Sequence, residues 1–306
     1  MTVQMLDDTQ VQQRLQWDDV LNAIETGFHN IASFEAPERN VISKADGTYL
    51  TMPCVDAQGW YGVKTIVVKP DNPQKHNLPS VQAWYTLADP SGVTVLACNA
   101  TLLTRFRTAA TSAVAAKYLA PKDARTLLVI GTGSLAPWMA EAHAQVRNYQ
   151  EVLFWGRDAE RLRATVQEVQ RRLPTRKISP ITELAKGLDC ADVISAATTS
   201  RQAIITADAL KGRQHVDLVG AFLADMRECD SGVIGSSQVY IDSLASAQAE
   251  AGDLIQACKD GWSFDRVAGE LQDVVKGEFS PAERTLFKSV GHALEDLVVA
   301  RLLVGS

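Results

Sequence analysis

Apolar residues between Val20 and Ala32 recur with the period of a helix that buries one face, and Pro37 breaks the chain beyond it. Four strand-like runs follow, near Tyr49–Met52, Tyr61–Val68, Val81–Leu87 and Val93–Cys98. Turn sequences such as Asp71-Asn72-Pro73 and Asp89-Pro90-Ser91-Gly92 separate them, so the spacing predicts an antiparallel sheet. From Thr101 to Leu119 the alanine-rich sequence reads as one long helix, stopped by Pro121.

Beyond Arg125 the pattern changes. Thr126–Ile130 is a short apolar run ending in glycines, and a helical stretch runs on to about Val146. Val152–Trp155 reads as the next strand and Ala159 to Leu173 as a charged helix; Val193–Ala197, Val216–Val219 and Val239–Asp242 continue the series. Strands alternating with helices predict right-handed βαβ units and a parallel sheet from about Arg125 to about Asp242. Pro281–Leu303 reads as a terminal helix that packs back on the first domain.

A chain of 306 residues suits two domains. The net charge of -6 leaves no basic footprint, which argues against nucleic acid as a partner. No apolar run approaches the roughly 18 to 20 residues of a membrane span, and the first residues lack a basic region followed by an apolar stretch. The five cysteines are scattered without metal spacing and read as reduced, buried thiols of a cytoplasmic protein. The five histidines likewise form no pair with metal spacing.

Gly131-Thr132-Gly133-Ser134-Leu135-Ala136 joins a strand to a helix. The first glycine permits a tight turn, the second admits a pyrophosphate close to the backbone, and Ala136 is small enough for the helix to pack on the strand. The N–H groups of the helix start then face the phosphates. The next strand ends in Trp155-Gly156-Arg157-Asp158, with an arginine before any acid. Arg157 suits a ribose 2′-phosphate, so NADPH is the favoured cofactor and NADH a possible one.

Arg39, Lys64 and Arg107 stand among apolar or small residues. As a group they would clamp a carboxylate and keep one ammonium as a proton donor; taken singly, each reads as a solvated cation. The segments Gly62-Val63-Lys64, Leu103 to Ser112, Ile130 to Ser134, Ala191 to Thr198, Gly220-Ala221 with Arg227-Glu228, and Ser289-Val290-Gly291 followed by Asp296 carry a resemblance over nearly the whole chain. In that order and spacing, the chain resembles the ornithine cyclodeaminase/μ-crystallin family.

The resemblance implies an α/β chain: a Rossmann dinucleotide-binding domain, expected over 121–274, and an α+β dimerisation and substrate domain made from both chain ends, expected over 1–120 with 275–306. It implies a homodimer, Lys64 as the active-site lysine, Arg39 and Arg107 as ligands of a substrate carboxylate, and Thr198 beside the cofactor. Asp296 stays open between a site residue and a solvated helix position. The family includes cyclodeaminases, alanine dehydrogenases, ketimine reductases and a ligand-binding crystallin. Cyclodeaminases carry an acid/base aspartate where this chain has Phe222, and an aromatic ring transfers no proton. The segment is instead similar to that of Δ1-pyrroline-2-carboxylate reductases, with Phe222 as an apolar wall. The leading expectation is reduction of a cyclic 2-imino acid (Δ1-pyrroline-2-carboxylate or Δ1-piperideine-2-carboxylate) to L-proline or L-pipecolate. Ornithine cyclodeamination and cofactor-dependent ligand binding are the alternatives.

Overall fold

The computed structural model describes residues 3–280 and 282–304. The chain divides into two compact units, 1–108 with 292–306, and 109–291.

In the first unit the strands are β1 (Gln4–Leu6), β2 (Phe34–Glu35), β3 (Asn40–Lys44), β4 (Gly47–Asp56), β5 (Tyr61–Val68), β6 (Val81–Ala88) and β7 (Thr94–Asn99). They form one sheet in the order β1-β7-β6-β5-β4-β2, with β3 also on β4. All pairs are antiparallel except β1 with β7. The predicted helix is observed as Trp17–His29, and it packs with the C-terminal helix Ala293–Arg301, which lies against β4, β5 and β6. Gly27 permits this approach, since a Cβ there would lie 3.0 Å from Leu294.

Strand alternation decides what the covered face holds. The registers align Met52, Lys64, Tyr85 and Cys98 across β4, β5, β6 and β7, and all four are buried. The opposite face presents Met5, Ile42, Tyr61, Val67 and Trp84 as exposed apolar residues.

The second unit holds β8 (Thr126–Ile130), β9 (Glu151–Trp155), β10 (Lys177–Pro180), β11 (Val193–Ala196), β12 (Gln214–Leu218), β13 (Gln238–Ile241), β14 (Val267–Glu270) and β15 (Arg284–Lys288). Every pair is parallel, in the order β10-β9-β8-β11-β12-β15-β13-β14. The order reverses between β8 and β11, the switch point at which a doubly wound sheet opens its ligand crevice. Leu127 and Val129 face one apolar core, Leu128 and Ile130 the other. The fold is therefore α/β, with a Rossmann-type unit and an α+β unit built from both chain ends.

The two compact units divide at 108/109 and 291/292, where the expected domain boundaries are 120/121 and 274/275. The helix Ala100–Leu119 crosses the first boundary, and its Ala116 belongs to the core beneath β8. The expected helix Pro281–Leu303 is also different: Pro281 lies outside the described residues, and Arg284–Lys288 is a strand between β12 and β13. Its neighbours fix it there, as Thr285 Oγ1 donates to the carbonyl of Leu119 and lies 2.9 Å from His215 Nδ1. Gly291, at φ +90, turns the chain, and a His292/Glu295 capping box starts the real helix at Ala293. Among the described residues no helix is long and apolar enough to cross a membrane.

Candidate active site

Lys64 occupies an inward position of β5 and is fully buried. Its Nζ donates to Asp296 Oδ2 at 2.6 Å. Arg107, from the long helix, donates from Nε to Asp296 Oδ1 at 3.2 Å and from Nη1 to Glu295 Oε2 at 2.8 Å. Two cations thus meet two carboxylates, and neither acid is exposed. Burial, helped by the Arg107 charge, brings the Lys64 ammonium down to about 8 against the pull of Asp296 and Glu295. Such an ammonium releases a proton far more readily than a solvated lysine.

The glycine of Gly62-Val63-Lys64 has a packing reason. A Cβ on Gly62 would lie 1.8 Å from the Tyr85 hydroxyl, which therefore sits over the strand beside Lys64. That hydroxyl has no hydrogen-bond partner among the described residues. Arg39 lies half-buried in the segment between β2 and β3. Asn40 pairs with Thr51 and Met52 with Lys64, so the register brings the Arg39 backbone to the edge of the row that contains Lys64. Sequence reasoning left Asp296 open and missed Glu295. The available signal was a pair of acids inside the apolar run Ala293-Leu294-Glu295-Asp296-Leu297-Val298-Val299.

In the second unit, Gly131 adopts φ +125, and a Cβ there would lie 2.7 Å from the Ala197 carbonyl oxygen. Only glycine fits this turn. A Cβ on Gly133 would meet nothing within 4 Å, so this backbone is open to approach. Ala136 is fully buried in the core below, and no side chain caps the helix Ala136–Val146 that it begins. Thr132 packs over Gly156, while Ser134 is exposed and Leu135 half-buried at the helix start. These residues fit a dinucleotide, with an open backbone over an uncapped helix N-terminus.

Arg157 is exposed just past the end of β9. Asp158, the first acid after that strand, is committed as N-cap of the helix Ala159–Arg172, accepting from the backbone N–H of Glu160 and Arg161. Thr198 is half-buried just past β11, and its N–H donates to Glu228 Oε1 at 2.7 Å. Phe222 is 45% exposed on the loop after β12. Asp225, on the same loop, is ion-paired with Arg201 and exposed.

Trp84 is exposed, whereas Trp138 is buried with the Arg172 guanidinium 4.5 Å from its ring centroid. Cys190 is exposed, against the expectation of a buried thiol. Asp253 is fully buried in the helix Gly252–Lys259. Among the described residues no group of His, Cys, Asp and Glu is placed to hold a metal.

The model of the ornithine cyclodeaminase/mu-crystallin family matches residues 1–305. A Delta(1)-pyrroline-2-carboxylate reductase of Colwellia psychrerythraea is 30% identical over 99% of this chain and 98% of its own. Among solved structures, the Delta(1)-pyrroline-2-carboxylate reductase of Thermococcus litoralis, in complex with NADH and L-proline, superposes with a TM-score of 0.92 at 29% identity, over 98% of this chain and 95% of that one. An archaeal alanine dehydrogenase dimer with bound NAD superposes with a TM-score of 0.91 at 25% identity, over 99% and 95%. With its parallel sheet, glycine turn and buried lysine in place, the chain belongs to the ornithine cyclodeaminase/mu-crystallin family.

Proposed function

We propose that the protein is an NAD(P)H-dependent reductase of a cyclic 2-imino acid, converting Δ1-pyrroline-2-carboxylate or Δ1-piperideine-2-carboxylate to L-proline or L-pipecolate. The observation that carries this reading is Lys64, a buried ammonium brought down to about 8 and balanced by Asp296. A bound reduced nicotinamide supplies the hydride that adds to the imine carbon. Lys64 gives its proton to the ring nitrogen, so the C=N bond becomes CH–NH. Arg107 and Arg39 hold the carboxylate. Glu295 and Asp296 fix the plane of the Arg107 guanidinium, which preorganises it for a planar anion. The imino acid enters with the charge of its carboxylate alone, which Arg39 and Arg107 meet, and its nitrogen gains its proton from Lys64.

The glycine turn, with Gly131, Thr132, Gly133, Ser134 and Leu135, would carry the pyrophosphate, and Thr198 would lie along the cofactor. NADPH is the preferred form and NADH a possible one, since Arg157 stands exposed where an NAD enzyme places an acid and Asp158 is engaged in capping. Phe222 is the apolar wall. The cyclodeaminase alternative has less support: Phe222 carries no proton, and Asp225 is paired with Arg201. The exposed apolar sheet face of the first unit supports a homodimer.

Oxidation of NADPH and NADH, followed spectrophotometrically, tests the reading against five- and six-membered cyclic imino acids, ornithine, and pyruvate with ammonia. Consumption of NADPH with a cyclic imino acid is the expected result. Ammonia release from ornithine without net cofactor turnover would overturn it in favour of the lyase, and binding without any turnover in favour of a ligand-binding protein.

A further inference from the structure

Among the buried acids that the proposed mechanism leaves unused is Glu228. Glu228 is fully buried, yet its carboxylate serves neither Lys64 nor Arg107. Its Oε1 accepts the N–H of Thr198 at 2.7 Å, and its Oε2 accepts the N–H of Gly220 at 2.6 Å. Thr198 and Gly220 each follow the end of a parallel strand, β11 and β12. The ladder between these strands ends with Val219 N–H donating to Ala196. Beyond that bond a side chain replaces the missing backbone bridge. The fit is close: a Cβ on Gly220 would lie 1.9 Å from the Thr198 carbonyl oxygen and 2.5 Å from Glu228 Oε1.

The acid is itself anchored. The N–H groups of Glu228 and Cys229 donate to Asp253 Oδ1 at 2.6 and 3.1 Å. Lys288, also fully buried, lies 3.5 Å from Asp253 Oδ2 and donates to the Leu218 carbonyl at 3.3 Å. Burial, with the nearby Asp253 charge adding to it, pushes the Glu228 carboxyl up to about 8 against the pull of Lys288 and the two N–H donors. Further bonds stitch the same two loops: Arg227 N–H to Ser200, the N–H groups of Ile204 and Ile205 to Glu228, and the Arg201–Asp225 ion pair. A buried carboxylate is costly unless fully bonded, and this one spends both oxygens on loops at the carboxyl edge of the sheet. That edge, on the β11–β12 side of the switch point, is where a doubly wound fold holds the second half of a dinucleotide.

We propose that Glu228 is the positioning residue for the nicotinamide half of the cofactor: by gripping Thr198 and Gly220 together, it fixes the spacing of the two loops that hold the ring. The proposal rests on the dinucleotide-binding part of the function proposed above. The pyrophosphate turn at Gly131 and the Arg157 position lie on the other side of the switch point, so loss of the grip leaves their affinity intact. Glu228→Gln replaces one acceptor with an NH2 that opposes a backbone N–H. Glu228→Asp keeps the charge and is one methylene short of spanning both donors.

The test compares parent, Glu228→Gln and Glu228→Asp by two probes. One is the affinity for 2′-phospho-ADP-ribose, which lacks the nicotinamide; the other is the fluorescence lifetime of bound NADPH, which reports how the ring is held. In Glu228→Gln the truncated nucleotide should bind within about twofold of the parent, while the NADPH lifetime shortens and kcat with a cyclic imino acid falls about tenfold to a hundredfold, the effect of misplacing a reacting group by on the order of 1 Å. Glu228→Asp should recover part of both losses. Parental lifetime and kcat in Glu228→Gln overturn the proposal, as does a loss of truncated-nucleotide affinity that matches the loss of kcat. If Glu228→Gln does not fold, the same two readouts on Glu228→Asp decide in the same way. A parent that binds NADPH but reduces no imino acid overturns the reductase reading and leaves the lifetime to decide on Glu228. A parent that binds neither nucleotide overturns both.

Discussion

Lys64 illustrates what one residue gains from its surroundings. In the sequence it is a lysine in a strand; in the fold its Nζ is sealed from water and sits 2.6 Å from Asp296. Because its folded value of about 8 lies below the ordinary 10.5, the unfolded chain holds more protons between those two values, and this residue's contribution to stability rises with pH across that window. The catalytic consequence has the opposite sign: if the ammonium is the proton donor, kcat falls as pH rises through about 8. Lys64→Met should abolish that limb and lower turnover at neutral pH by about a hundredfold or more, the usual worth of a positioned general acid. NADPH affinity should stay near parental. A pH–kcat profile of the variant that keeps the parental rate would show the lysine to be a bystander. Arg157 supplies the second test at this scale. Arg157→Asp should lower kcat/KM with NADPH by roughly tenfold or more, the loss of a charge-assisted contact worth about 1.5 to 3 kcal/mol, and leave NADH equal or improved. An unchanged cofactor ratio would remove Arg157 from the 2′-phosphate.

At the scale of elements, β5 and β6 form one unit with the C-terminal helix because Gly62 makes room. Tyr85 lies across the strand where that glycine lacks a side chain, and Leu297 of the helix would lie 3.1 Å from an added Cβ. Gly62→Ala should therefore destabilise the protein by about 1 to 3 kcal/mol, the range for overpacking a filled interior. Removing the hydroxyl in Gly62→Ala/Tyr85→Phe should recover part of that loss, since the closest clash is with the hydroxyl oxygen. Urea denaturation of the two single variants and the double checks this; strictly additive effects would mean that the two residues do not share the space. The strands and helices that sequence pattern located well, among them Tyr61–Val68 and Thr126–Ile130, are those with clean alternation or a continuous apolar run. β15 was read as helix because Leu286 and Phe287 satisfy either period, and only hydrogen bonding to β12 and β13 selects the strand. The three-residue β1 and four-residue β10 are too short to show any period.

For the whole molecule, the uncovered face of the first sheet sets the next expectation. Met5 is 60% exposed and Trp84 47%, with Ile42, Tyr61 and Val67 on the same face. Such a surface on a sheet favours association, and a homodimer through it is the proposed state. Trp84→Glu should shift the species seen by light scattering from dimer toward monomer, and a monomeric parent would overturn the assignment. By itself the sequence determined most of the longer strands and helices and the glycine turn, and it singled out Lys64, Arg39 and Arg107 as candidates, because short-range periodicity, turn chemistry and an ordered set of motifs are all written along the chain. It also determined the missing acid at Phe222. Only the tertiary structure decided that Asp296 and Glu295, more than 180 residues beyond Arg107, meet it and Lys64. It also decided that Glu228 grips two loops and that the last strand enters the middle of the parallel sheet. Those pairings join residues far apart in the chain, and burial with hydrogen-bond satisfaction selects them only once the strands have taken their places.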